Sequence, residues 1–65
     1  MIYTMMLGEL NKELEKVNEK IIENNKASDQ YPGLYDMIQE VNFIYHGQAT
    51  FIRNLIGKLQ KLKHG

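Results

Sequence analysis

Asp29-Gln30-Tyr31-Pro32-Gly33 contains the only proline of a 65-residue chain and lies between two long stretches of helical periodicity. Proline removes a backbone donor and pushes the residue before it, here Tyr31, away from the helical region, while a Pro-Gly pair favours a turn. Upstream, Tyr3, Leu7, Leu10, Leu14, Val17 and Ile21 are spaced alternately four and three apart, the pattern of an apolar seam along a helix. Downstream, Leu34, Ile38, Val41, Tyr45, Gln48, Ile52, Leu55, Leu59 and Leu62 repeat the alternation, with Gln48 the single polar member. The expected fold is all-α, one domain over residues 1–65, with helices over 3–28 and 34–63 and a turn at 29–33. A short turn between long helices makes them antiparallel neighbours, so the basic unit is a two-helix hairpin.

The two apolar faces differ in width. The first helix has a narrow stripe, edged by Asn11, Asn18 and Asn25. The second adds Met37, Ile44 and Phe51 on one flank of its seam and Tyr35, Ala49 and Ile56 on the other, an arc that one neighbouring helix cannot cover. A chain this short also builds only a marginal core by itself, and it has no cysteine to supply a disulfide. Together these predict that two hairpins dimerise into a four-helix bundle with the second helix at its centre. The self-association set is Leu34, Ile38, Val41, Ile44, Tyr45, Gln48, Phe51, Ile52, Leu55 and Leu59. Gln48 is expected to act as a buried polar seam residue that fixes register by requiring a partner.

Gly47 and Gly57 are discordant, because an interior glycine costs a helix about 1 kcal/mol relative to alanine. A break at His46-Gly47-Gln48 would give a three-helix protein, but the heptad phase runs through Gly47 without a slip, which favours one continuous helix. Phe43, Gly47, Thr50, Asn54 and Gly57 lie on the face opposite the seam. Phe43 has two readings there: a core residue of a larger or rotated bundle, or an exposed aromatic anchor in a shallow groove. On the second reading the partner-binding candidates are Phe43, His46, Gly47, Thr50, Arg53 and Asn54.

The zero formal charge is a sum of unequal halves. Residues 1–29 carry six acids against four lysines, whereas from Gln30 onward Asp36 and Glu40 stand against Arg53, Lys58, Lys61 and Lys63. Asp36 early in the second helix and the lysines late in it both suit the helix macrodipole. No acid follows Glu40, so the carboxyl-terminal stretch is basic and amphipathic. Four cations in a neutral chain make a weak footprint for nucleic acid, which stays as the alternative partner by analogy with dimeric bundles that present a helical face to RNA. Membrane contact is not expected, because bundle packing already accounts for the apolar residues of that stretch. The apolar opening Met1-Ile2-Tyr3-Thr4-Met5-Met6-Leu7 has no basic residue before it and is soon followed by Glu9. It is not read as a secretory signal, and a cytoplasmic location is expected.

Little in the sequence points to chemistry. His46 has Asn42 and Thr50 at helical spacing and no carboxylate to orient it. There is no glycine-rich phosphate loop, carboxylate pair or metal-ligand pattern, so no catalytic residue, cofactor or metal is assigned. The functional expectation is a noncatalytic homodimer acting on an unidentified protein partner, as a regulator, adaptor or assembly factor. The lysine- and asparagine-rich composition suits a bacterial or phage accessory protein.

Overall fold

The computed structural model describes residues 2–64; residues 1 and 65 of the expected domain lie outside the described residues. Two α-helices, α1 (Ile2–Gln30) and α2 (Tyr35–His64), are joined by a single 3-10 turn at Pro32–Leu34. α1 is longer than the periodicity predicts, whereas α2 has the predicted length and is shifted by one residue toward the carboxyl end. Asp29 and Gln30 belong to α1, and Leu34 closes the 3-10 turn instead of opening α2. Pro32 stops α1 as expected: Tyr31 takes φ −127° and ψ 75°, outside the helical region. The turn is closed by the Tyr31 amide donating to the Ala27 carbonyl at 2.8 Å and the Leu34 amide donating to Tyr31 at 2.9 Å. Gly33 contributes no left-handed conformation, since no described glycine has positive φ.

The helices pack against each other along their length, giving a rod of 49 × 14 × 10 Å. Its radius of gyration is 15.0 Å, against about 11 Å for a compact chain of this length. Continuity of α2 through Gly47 and Gly57 produces this shape; the helix passes both without interruption. A Cβ placed on either glycine would meet nothing within 4 Å, so neither marks a close helix approach within the hairpin.

On α1 the expected seam faces α2: Val17 and Ile21 are buried, with Leu14 packed beside them. On α2 the seam is corrected. The line that meets α1 is Ile38, Asn42, Tyr45, Ala49 and Ile52, of which Ala49 is 0% and Asn42 2% exposed. The predicted seam members Val41 and Gln48 are exposed and stand beside this line. The reason is steric and polar together. Ala49 has the smallest side chain on the line that meets α1 and sits against Val17 and Ile21, letting the backbones approach where a leucine would hold them apart. Asn42, two turns before Ala49, finds partners on α1: it donates to Asn25 Oδ1 and accepts from Asn24 Nδ2, both at 3.0 Å. Lys20 lies 5.6 Å from the Tyr45 ring centroid, adding a cation–π contact at the rim. Glu9–Lys12 and Glu13–Lys16 form exposed ion pairs of 3.6 and 3.3 Å, weak supports of α1.

Candidate interaction surfaces

The core is thin for two helices of 29 and 30 residues. Among the described residues, only Val17, Ile21 and Ala49 are buried apolar residues, and no large side chain is fully enclosed. The accessible surface is 5244 Å², whereas a compact monomer of this mass exposes about 4,300 Å². Large apolar side chains are exposed on both helices, Ile2, Met5 and Ile22 on α1 and Met37, Phe43, Ile44, Phe51 and Leu62 on α2 among them.

At about 100° of rotation per residue, Met37, Val41, Ile44, Gln48, Phe51, Leu55 and Leu62 fall on one line of α2. That line is centred roughly a quarter turn away from the line that meets α1. Ile44 is 60% and Phe51 63% exposed, and Met37 and Leu62 are comparably open. The spacing is again four and three, so α2 carries two adjacent seams: one filled by α1, the other open. Gln48, expected as a buried register residue, is the exposed polar member at the middle of the open seam.

The open seam continues onto α1 at the end of the rod opposite the turn. There Ile2, Met5, Met6 and Leu10 line a groove of about 510 Å³ with Leu55 and Leu59. A smaller groove of about 390 Å³ follows along the same side, bounded by Glu13, Val17, Gln48, Phe51 and Ile52, with Gly47 at its edge. Of the predicted self-association residues, Leu34, Val41, Ile44, Gln48 and Phe51 are exposed. Ile38, Tyr45, Ile52, Leu55 and Leu59 are half-buried, with Tyr45 and Ile52 packed on the hairpin core.

The predicted partner-binding candidates lie on another side of α2. Phe43 is 79% exposed, the most open of the large apolar side chains among the described residues, so within the hairpin it is not core. His46, Gly47, Thr50, Arg53 and Asn54 are exposed around and beyond it. Thr50 donates its hydroxyl to the His46 carbonyl at 3.0 Å, a bond along the helix that organises no site. Among the described residues no group of three or more His, Asp or Glu side chains is placed to hold a metal ion. No helix among them is long and apolar enough to cross a membrane.

The role of Asn42 is not foreseen from the sequence, where it figures only as a neighbour of His46 at helical spacing. The signal available was Asn25, one of the three asparagines edging the α1 seam, but nothing in one dimension pairs it with residue 42. Ser28 is a second surprise: it is 5% exposed and its hydroxyl has no hydrogen-bond partner.

Compared with known protein families, curated proteins and solved structures, the chain gives no match.

Proposed function

We propose that this protein is a noncatalytic helical hairpin that works through protein–protein contacts, as a small regulator, adaptor or assembly factor. The observation that carries the reading is the open second seam of α2, where Ile44 and Phe51 lie mostly in water. Contiguous apolar surface rimmed by polar residues is what contact surfaces present before they are covered. The thinness of the hairpin core supports the same reading, because covering that seam adds the burial a short chain otherwise lacks.

A photo-crosslinking residue placed at Ile44, compared with one at the exposed Glu15 of α1, tests the proposal in the cell that makes the protein. Protein crosslinks are expected at 44 and not at 15. No protein adduct at 44 would remove the reading.

A second reading, nucleic-acid binding, is favoured by one observation. Arg53, Lys58, Lys61 and Lys63 are exposed near one end of the rod, and neither ion pair among the described residues engages them. A gel shift with mixed RNA and DNA should then weaken steeply with salt. Absence of a shift at low salt eliminates it.

A further inference from the structure

The open seam of α2 invites the question of what covers it, and three features converge on one occupant. The first is area. The rod exposes roughly 900 Å² more than a compact monomer of its mass, close to the ~800 Å² that each partner contributes to a stable interface of standard size.

The second is charge. The two ends of the rod carry opposite signs. The open end, residues 2–12 and 53–64, holds Lys12, Arg53, Lys58, Lys61 and Lys63 against Glu9 alone. The turn end, residues 19–40, holds Glu19, Glu23, Asp29, Asp36 and Glu40 against Lys20 and Lys26. A surface that is apolar along its length and oppositely charged at its ends is complementary to itself turned end for end.

The third is register. The midpoint of α2 lies between Ala49 and Thr50. Two copies of α2 laid antiparallel about that point overlap fully and interleave the heptad positions as antiparallel helices require. Ile44 then falls beside the partner's Leu55, and Met37 beside the partner's Leu62. The same register brings Lys58 next to the partner's Glu40 and Lys61 next to the partner's Asp36. These pairs lie on the same flank of the seam, where antiparallel helices place their edge charges together.

We infer that the occupant is a second copy of this chain, docked antiparallel through the open seam of α2 with its dyad at the helix midpoint, basic end against acidic end. This deepens the protein-contact reading and rests on it. It leaves Phe43 outside the dimer, since Phe43 lies far around α2 from the open seam. Gln48 moves from exposure to a place beside the partner's Phe51 near the dyad, where a single polar group tunes register more than it adds stability.

Sedimentation equilibrium on the full chain tests this. The wild type is expected at twice 7.6 kDa at micromolar concentration. Ile44→Glu, at a position already open in the hairpin, should give a helical monomer. Lys58→Glu places two acids side by side and should weaken the dimer about tenfold, and adding Glu40→Lys should restore it. Because these two residues are far apart on one helix, restoration can arise only between chains, and only antiparallel; parallel copies would set like against like. A monomeric wild type, a dimer indifferent to Ile44→Glu, or a charge swap that fails to restore association each overturns the inference. A monomer that still crosslinks a different protein through position 44 refutes the second copy but keeps the protein-contact reading. A monomer with no crosslink removes both.

Discussion

Replacing Asn42 in three ways separates the contributions that hold the two helices in register. Asn42 is 2% exposed and makes two side-chain bonds across the hairpin, donating to Asn25 and accepting from Asn24, each 3.0 Å long. In Asn42→Ala both bonds vanish, each with a net contribution of about 0.5–1.5 kcal/mol. Asn24 is half-buried and Asn25 exposed, so both regain water, and the orphaning penalty that would accompany a buried partner is small. The expected loss is therefore about 1–2 kcal/mol. In a chain of this size that lowers the melting temperature by roughly 5–15 °C.

Asn42→Asp keeps the volume and the acceptor but loses the donor, setting an oxygen against Asn25 Oδ1 and burying a charge. It should cost more, about 3 kcal/mol. Asn42→Leu removes both bonds and fills the same space with apolar atoms, so its stability should equal or exceed that of the wild type. Thermal and urea unfolding followed by circular dichroism at one fixed protein concentration gives the order, the concentration being held because association shifts apparent stability. The predicted order runs from Asp, the least stable, through Ala to wild type and Leu. An Asp variant as stable as the wild type would show that residue 42 is not donating across a dry helix interface, and the reasoning would fall.

Gly47→Ala places a methyl group where nothing lies within 4 Å, so it should stabilise α2 by about 0.5–1 kcal/mol, read as a rise in urea midpoint. A loss of stability would mean that another chain approaches that face closely. Ala49→Leu should cost about 1–3 kcal/mol, because the side chain at the tightest point of the hairpin has no room to grow. Thermal melting checks it, and an unchanged midpoint would contradict the close approach at Ala49. Ser28→Ala removes a buried hydroxyl that has no partner and should raise stability by roughly 1 kcal/mol; a fall would reveal a hydrogen bond at that hydroxyl.

The helical hairpin is determined by the sequence alone, because its signals are local. The four-three spacing from Tyr3 to Ile21 decides which face of α1 is apolar, and Pro32 stops that helix through its missing amide and its effect on Tyr31. These operate within a few residues and need no knowledge of what lies across the hairpin. Helix ends are less determinate: α1 extends through Asp29 and Gln30 up to the residue that proline constrains, since nothing earlier opposes helix formation. The open surface on α2 was also implied by its wide apolar arc, which one helix cannot cover.

Only the tertiary structure decided which line of that arc faces α1. Periodicity offers two neighbouring seams on α2, and by hydrophobicity alone the line through Val41 and Gln48 would be chosen over the one through Asn42 and Ala49. The choice turns on how closely two backbones approach and on what meets a polar group when they do. Ala49 permits the approach against Val17 and Ile21, and Asn24 and Asn25 satisfy Asn42 across it. Both conditions are relations between residues far apart in the chain. Selecting that line turns the more hydrophobic one, with Ile44 and Phe51, away from α1 and into the open, where it is free for another molecule.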